Sequence, residues 1–315
     1  MDSAVDGTQA ALVSEIADLE SRLQRAKERL AAESKPAHTA KPSQSPRAPP
    51  STRSAHHYLL LLSDSALPLG SFAFSSGLES YLAHTRRRGP SASAAATSSS
   101  SFSSFLPLSL SSYASTTLPF VLAAHRDPSP DSVACLDDTL DAAVICTVGR
   151  RASVAQGRAL LSIWEKSVAS SVDASSSLKP YADLLRSSSA SAFASARASG
   201  GETDGDREKE PPLVSAHLAP LFGAVAALCG LSLRQTSYVF MLNHVKALVS
   251  AAVRAGLFGP YQAQRILAGS EVQAYLEAAI EREWDTPVEE AGQSVPVMDL
   301  WVGRHELLYS RIFNS

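Results

Sequence analysis

Apolar residues recur at three- and four-residue spacing along much of the chain, and no alternating strand pattern of useful length is found. This spacing is typical of α-helices with one buried face. The pattern is densest in the C-terminal half, where it predicts helices over residues 221–231, 235–254 and 261–283. The middle helix is apolar nearly all round, which favours a central position. The pattern therefore predicts an all-α fold.

The first half of the chain contains three further apolar stretches. Residues 106–125 predict a helix although Pro119 lies inside them, and residues 136–148 and 152–168 predict two more. A proline inside a helix removes one backbone hydrogen bond, so this helix needs compensation from tertiary packing. Together with the C-terminal helices, these stretches predict a single helical bundle.

Residues 1–55 differ in pattern from the rest of the chain. Apolar residues at alternating spacings of four and three predict a short coiled-coil-like helix over residues 8–33. Residues 34–55 are rich in proline, serine and alanine, which predicts a disordered linker. The folded domain is therefore expected over residues 56–315.

Two stretches inside that domain have low sequence complexity. Residues 86–104 are mostly serine and alanine, and residues 170–212 combine serine and alanine with an acidic, glycine-containing end. Such segments bury too little apolar surface to offset their ordering entropy, so both are predicted to be irregular inserts. The pieces beside the second insert are too short to stand alone, so one domain is expected.

Residues 63–82, with the sequence SDSALPLGSFAFSSGLESYL, connect two apolar stretches. A proline and a glycine interrupt the first stretch and predict a turn. Ser76 and Glu79 have the spacing of a capping box, in which each side chain accepts a backbone N–H of the other residue, so a helix is predicted to start here. Phe72 and Phe74 lie in the turn, where aromatic side chains need a core or a partner surface to cover them.

The composition argues against several functional classes. The formal net charge is -3 and the isoelectric point about 6.2, which is not typical of a nucleic-acid-binding protein. No window of about 18 apolar residues predicts a membrane span and no signal-peptide pattern is present, so the cytosol is the expected compartment. The three cysteines are widely spaced and lack a C-x-x-C pair, so neither a disulfide framework nor a zinc site is indicated.

Motifs for the common catalytic mechanisms are missing from the sequence. It contains no P-loop, dinucleotide-binding glycine motif, nucleophile elbow or H-E-x-x-H motif. No catalytic residue, cofactor site or metal site is therefore predicted. The residues alone leave two alternatives open. One is an all-α enzyme with Asp64, His244, Lys246 and Arg254 in a polar core pocket, and the other is a coiled-coil adaptor led by residues 8–33.

Three separated stretches resemble the UreF family of urease accessory proteins. The first is S-D-S-A-L-P-L-G-S-F-A-F-S-S-G-L-E at residues 63–79. The second is P-L-F-G at residues 220–223, followed by A-A-V-R-A-G-L-F-G at residues 251–259. The third is R-H-E at residues 304–306, followed by L-Y-S-R-I-F at residues 308–313. The stretches occur in the order that the family shows.

The resemblance implies an all-α, non-enzymatic accessory protein that forms a homodimer in the cytoplasm. Such a protein would join a UreD/UreH-type accessory subunit and a UreG-type GTPase. It would act as scaffold and GTPase regulator in the complex that delivers nickel to apo-urease. Nickel would pass through that complex in transit, and neither nucleic acid nor a membrane is implied as a partner.

The resemblance also implies which residues meet partners. The C-terminal tail, residues 285–315, mixes aromatic residues with arginines, a composition enriched in interfaces. By the matching motifs this tail would dock on the UreD-type subunit, and residues 254–264 would help form the same complex. The predicted interface residues are Phe72, Phe74, Arg254, Tyr261, Gln264, Arg304, His305, Tyr309, Arg311 and Phe313.

Overall fold

The computed structural model of the chain describes residues 52–85, 94–172, 177–198 and 214–314. The helix predicted over residues 8–33 lies outside these ranges. Within them the backbone is helical and contains no β-strand, so the all-α prediction is confirmed. The eleven α-helices of the described residues are, in chain order, α1 (Thr52–Ser63), α2 (Leu78–Thr85), α3 (Ala94–Arg126), α4 (Pro130–Ala143), α5 (Thr147–Ile163), α6 (Lys179–Ala198), α7 (Leu218–Leu228), α8 (Leu233–Arg254), α9 (Pro260–Ala268), α10 (Ser270–Glu283) and α11 (Val297–Gly303).

The long helix α3 lies at the centre of the bundle. It packs against α7, α8 and α10 and also contacts α4. Leu118 and Phe120 of α3 are buried on either side of Pro119, which lies inside the helix as predicted. The helix predicted to be central is α8, and its apolar side chains, Leu248 among them, are also buried. None of the described helices has the length and apolar character needed to cross a membrane.

The second half of the first predicted insert is helical and not irregular. The insert was expected over residues 86–104, whereas α3 already begins at Ala94. Phe102 anchors this part of the helix: it is buried and its ring meets the ring of Phe258 edge-on, with 5.2 Å between centroids. Alanine favours helix, and one well-packed aromatic side chain adds tertiary stabilisation. The serine- and alanine-rich composition of this stretch therefore predicts an irregular segment where the chain in fact forms a helix.

The second predicted insert also contains a helix. Within residues 170–212, α6 covers Lys179–Ala198 and packs against α4. Leu178, Tyr181 and Ala182 at its start are buried in the core. These few apolar residues are enough to dock the first turns of α6, which the average composition of the segment does not reveal.

The boundary between α4 and α5 differs from the prediction. One helix was expected over residues 136–148, but α4 ends at Ala143 and α5 begins at Thr147. Val144 has extended backbone angles (φ -82°, ψ 97°), although its N–H still donates to the carbonyl of Leu140. Apolar spacing continues across the break because both helices bury a face, so periodicity alone does not reveal it.

The helix predicted over residues 261–283 consists of two helices. Gly269 has extended backbone angles (φ -68°, ψ 142°) and separates α9 from α10. Glycine is a poor helix former, so the chain bends there. At the other end of the domain, α1 begins at Thr52, which is earlier than the predicted domain start at residue 56.

A buried aspartate fixes the start of α7. Asp137 of α4 is fully enclosed. Its carboxylate accepts hydrogen bonds from the backbone N–H groups of Ser215, Ala216 and His217 at 2.6, 3.1 and 2.6 Å. A carboxylate at a helix start satisfies free N–H groups and interacts favourably with the helix dipole. Asp137 therefore positions α7, and it holds Ala216 in a left-handed conformation (φ 70°) that alanine rarely adopts.

A second aspartate of α4 continues this network. Asp141 accepts hydrogen bonds from the guanidinium of Arg150 at 2.7 Å and from Nε2 of His217 at 2.8 Å. The other ring nitrogen of His217 lies 3.0 Å from the hydroxyl oxygen of Ser153. Burial raises the pKa of Asp141, but the hydrogen bonds from Arg150 and His217 outweigh this effect and lower the pKa to about 2.

The serine, histidine and aspartate of this network have the composition of a catalytic triad. The imidazole of His217 is fully buried, and the Ser153 oxygen already accepts the N–H of Leu218 at the start of α7. Both side chains are therefore engaged in holding the end of a helix. We assign Asp141, His217 and Ser153 to the support of α7 and not to catalysis.

Helix α5 and the segment before α7 approach each other closely at Gly157. A Cβ on this residue would lie 2.1 Å from the carbonyl oxygen of Ala216 and 2.6 Å from the carbonyl carbon of His217. Both are backbone atoms that the aspartate network holds in place. The position therefore requires glycine because no side chain has room there.

Replacing Gly157 with alanine should lower the free energy of unfolding by about 2 kcal/mol or more, since the added methyl group overlaps fixed backbone. The matched control is Gly149→Ala on the same helix, where a Cβ meets no atom closer than 3.8 Å. Alanine there should be neutral or slightly stabilising. Urea denaturation followed by far-UV circular dichroism measures both effects. Equal stability of the two variants would contradict the close approach.

Asp141→Asn should lower the free energy of unfolding near neutral pH by ~1 kcal/mol, because charge-assisted hydrogen bonds are lost from a partly exposed site. The folded-state pKa of about 2 lies below the ordinary value of 3.8. The stabilisation is therefore present above about pH 4 and lost as the pH falls toward about 2. Urea denaturation across this range should show the difference between wild type and variant shrinking. A difference that stays constant with pH would assign the effect to packing instead of charge.

Candidate functional site

The turn between α1 and α2 carries the two aromatic residues of the predicted interface. Gly70 adopts a left-handed conformation (φ 73°) and leads into a short 3-10 helix, Ser71–Ala73. Phe72 on this helix is 67% exposed, whereas Phe74 is partly buried. The turn therefore presents one aromatic side chain to solvent and packs the other.

The capping box predicted at the start of α2 is not formed. Ser76 has a left-handed backbone (φ 49°), whereas an N-cap residue needs an extended one. The neighbouring Ser75 accepts the Glu79 N–H instead, at 3.4 Å. The carboxylate of Glu79 consequently does not reach back to Ser76 and is free to accept other donors.

Those donors come from the C-terminal tail. Oε1 of Glu79 accepts the backbone N–H of Ile312 at 2.6 Å. Oε2 accepts the N–H of Phe313 at 3.2 Å and lies 3.0 Å from Nε2 of His305. Hydrogen bonds to an ionised carboxylate are stronger than those between neutral groups. Glu79 therefore ties two parts of the tail to the first turn of α2.

Helix α11 lies directly on the start of α2. The ring of Trp301 meets the ring of Tyr81 edge-on, with 5.5 Å between centroids. A Cβ on Gly77 would lie 3.1 Å from the backbone nitrogen of Val302, and Gly77 itself has φ 86°. Glycine is therefore needed here both for its backbone conformation and for the approach of α11.

The end of the tail is packed against the turn and against α8. Phe313 is only 4% exposed, and the guanidinium carbon of Arg254 lies 4.4 Å from the centre of its ring. This distance is within the range of a cation–π interaction. The N–H of Asn314 donates to the carbonyl of Ala73 at 2.8 Å, which joins the tail to the turn that carries Phe72.

A surface ion network also crosses the tail. Glu306 accepts hydrogen bonds from Arg151 of α5 and from Arg311 of the tail. These hydrogen bonds lower the pKa of Glu306, although the carboxyl group lies at the surface. Exposed ion pairs add little stability, so the network orients side chains more than it fastens the tail.

Four large apolar side chains are exposed on the turn and on the part of the tail that follows α11. They come from the turn and the tail, which the backbone bond between Asn314 and Ala73 joins. Tyr309 is fully exposed and Ile312 is 63% exposed. Exposed apolar groups of this size on one region indicate a surface that a partner covers. We call this set the tail surface; its members are Phe72, Leu307, Tyr309 and Ile312.

The predicted interface residues lie on the turn, α8, α9 and the tail, and two of them are buried within the chain. His305 and Phe313 are buried within the chain, so they hold the tail in place and do not themselves offer a surface to a partner. Arg304 and Arg311 are exposed beside the tail surface. Tyr261 and Gln264 are exposed on α9, which packs against α8 and α10.

The sequence did not predict the contacts that Glu79 and Arg151 make with the tail. Glu79 was interpreted as a capping residue because its spacing from Ser76 fits that motif. Its tail contacts span 226 residues to His305 and 233 to Ile312, and no local pattern reports such a distance.

A cavity of about 480 Å³ lies behind the turn. Its walls come from the turn, α3, α8, the α4–α5 connection and the start of the tail. Phe72 and the exposed Ile145 are among its lining residues, and the lining is largely apolar. The volume is within the usual range for small-molecule sites.

Three of the four polar residues expected in such a pocket, Asp64, His244 and Lys246, line this cavity, and His244 and Lys246 also bond to neighbouring helices. His244 bonds to the Ser109 hydroxyl at 3.0 Å, and burial lowers the pKa of its imidazole to about 3, which keeps the ring neutral. The Lys246 ammonium donates to the carbonyl of Ser63 at the end of α1. Arg254 is not part of the lining. In the part of the chain that the structure describes, no three His, Cys, Asp or Glu side chains are grouped to hold a metal ion.

The sequence is similar to those of several urease accessory proteins. The UreF family model matches residues 96–271. A Schizosaccharomyces pombe protein described as an uncharacterized urease accessory protein UreF-like is 36% identical over 262 residues, 82% of this chain and 97% of its own length. Urease accessory protein F of Oryza sativa subsp. japonica is 31% identical over 252 residues, 80% of this chain and 82% of its own. Urease accessory protein UreF of Paenarthrobacter aurescens is 29% identical over 256 residues, 81% and 95% of the two chains. The chain therefore belongs to the UreF family.

Proposed function

We propose that the chain is a non-catalytic scaffold for urease maturation that acts in the cytosol as a homodimer. It joins a UreD/UreH-type accessory subunit and a UreG-type GTPase in the complex that delivers nickel to apo-urease, and it regulates the GTPase. Membership of the UreF family supports this role, since the relatives are named urease accessory proteins. Nickel is the cargo of that complex and not a resident cofactor of this chain.

The observation that carries the proposal is the tail surface. Phe72, Tyr309 and Ile312 are exposed, and hydrogen bonds from Ile312 to Glu79 and from Asn314 to Ala73 fasten the tail to α2 and to the turn. Aromatic and aliphatic side chains that are both exposed and rigidly held are typical of interface anchors. The exposed arginines beside them match the polar rim of such an interface. The UreD/UreH-type subunit is the proposed occupant.

The motifs that the sequence lacks are consistent with a scaffold role in this complex. The sequence has no P-loop motif, so nucleotide hydrolysis is assigned to the GTPase. His244 bonds to Ser109 in the core and Asp141 bonds to His217 at the start of α7, so both side chains have structural roles. The proposed contribution of this chain is therefore to bring partners together.

The double substitution Tyr309→Ala and Ile312→Ala should weaken capture of the UreD/UreH-type subunit about tenfold or more, because two interface anchors are removed. Urease activity in cells that lack the gene should recover with the wild-type chain and fall well short of that level with the double variant. Circular dichroism should show unchanged helix content, since both side chains are exposed.

The matched control is Leu60→Ala, an aliphatic residue on α1 that is 56% exposed and lies outside the tail surface. This variant should bind the subunit and restore urease activity as the wild type does. If the double variant behaves like the control in both assays, the tail surface is not the docking site. If the wild-type chain does not restore urease activity, the maturation role itself is wrong.

A further inference from the structure

Aromatic side chains from three core helices, α3, α7 and α8, line the cavity behind the turn. Phe222 of α7 and Phe240 of α8 are both buried, and their rings lie 5.3 Å apart between centroids. Tyr113 of α3 stacks on Phe240 with 5.1 Å between centroids and on His244 with 3.9 Å. These rings lie together in the lining, so they favour a ligand with a flat apolar body.

His244 supplies a polar group within this aromatic lining. The residue is only 8% exposed, and its Nε2 lies 3.0 Å from the hydroxyl oxygen of Ser109. Among the described residues, none forms a hydrogen bond with its Nδ1. A buried polar atom without a partner is unfavourable, because it has lost its hydrogen bonds to water. A polar group of a molecule in the cavity would therefore be stabilised by bonding to Nδ1.

The role of Nδ1 depends on which ring nitrogen of His244 carries the hydrogen. If Ser109 donates to Nε2, Nδ1 carries the hydrogen and donates; if Nε2 donates to Ser109, Nδ1 accepts. A hydroxyl group can both donate and accept, so it pairs with Nδ1 in either case. A hydroxyl is therefore the ligand group that best fits this position.

The charges of the cavity lining favour a neutral ligand. The charged residues of the lining are each bonded within the chain: Asp64 to the N–H of Ala66, Lys246 to the carbonyl of Ser63, and Asp299 to the side chain of Gln293. Burial lowers the pKa of the His244 imidazole to about 3, so this ring is neutral near pH 7. Moving an unpaired charge into such surroundings costs free energy. A charged ligand is therefore disfavoured beside His244.

We propose that this cavity is a binding site for a small neutral aromatic molecule with a hydroxyl group, such as a phenol. Its ring packs against Phe222 and Phe240, and its hydroxyl group bonds to Nδ1 of His244. The cavity volume of about 480 Å³ accommodates a molecule the size of naphthalene. The inference does not rest on the proposed function, because the site needs no partner protein.

Fluorescence titration of the full chain with β-naphthol tests the inference. The comparison probes are β-methylnaphthalene, which replaces the hydroxyl group with a methyl group, and β-naphthoate, which is anionic. β-Naphthol should bind about tenfold more tightly than β-methylnaphthalene because it adds one hydrogen bond in a buried site. It should also bind at least about tenfold more tightly than β-naphthoate. Either comparison probe binding as tightly as β-naphthol, or no saturable binding of β-naphthol, would overturn the proposal.

His244→Phe tests the contact with the hydroxyl group. Phenylalanine keeps a planar ring but has no nitrogen, so the affinity for β-naphthol should fall about tenfold while that for β-methylnaphthalene is unchanged. The matched control is Ser109→Ala, which removes the partner of Nε2 and leaves Nδ1 in place. This control should keep the preference for β-naphthol. An equal loss of affinity for both probes in His244→Phe would contradict the bond to Nδ1.

A second variant, Ala247→Phe, covers the case in which His244→Phe does not fold. Ala247 lines the cavity one turn after His244 on α8, so a larger side chain there occupies the space of the ligand. Binding of β-naphthol should be lost. The matched control is Ala278→Phe, which adds the same side chain at an exposed position of α10 outside the lining and should bind as the wild type does. Wild-type affinity in Ala247→Phe would show that β-naphthol does not bind in this cavity.

Discussion

The position of α7 depends on the buried carboxylate of Asp137. Three backbone N–H groups before this helix would otherwise be enclosed without acceptors, which is strongly unfavourable in a protein interior. Once α7 is fixed, α3 can pack along it and α5 can approach closely enough that Gly157 leaves no room for a side chain. The packing of α3, α5 and α7 therefore depends on this polar interaction as well as on apolar contacts.

A similar arrangement joins the two ends of the described domain. Glu79 near its start accepts backbone N–H groups from the last residues of the tail, just as Asp137 accepts those before α7. In both places an aspartate or glutamate on a helix substitutes for the regular backbone partner that an irregular segment lacks. This contact keeps Phe313 in the core and leaves Tyr309 and Ile312 in solvent. Which side chains of the tail form the proposed docking surface is thus decided by the tertiary structure.

The sequence predicted most helices because their apolar faces repeat at short range. It failed at residues 94–104 and 179–198, where serine and alanine dominate. In these segments a few side chains, such as Phe102 and Tyr181, provide the anchoring contacts, and both are buried. Average composition measures how much apolar surface a segment has, whereas helix formation here depends on where that surface meets the core.

The amino-acid sequence by itself determined the all-α class, the course of the central helices and membership of the UreF family. These properties depend on spacings of three and four residues and on short motifs, which are local. Only the tertiary structure decided that Glu79 holds the tail and that His305 and Phe313 are buried beside it. Glu79 and His305 are 226 residues apart in the chain, so their contact exists only after the helices between them have packed.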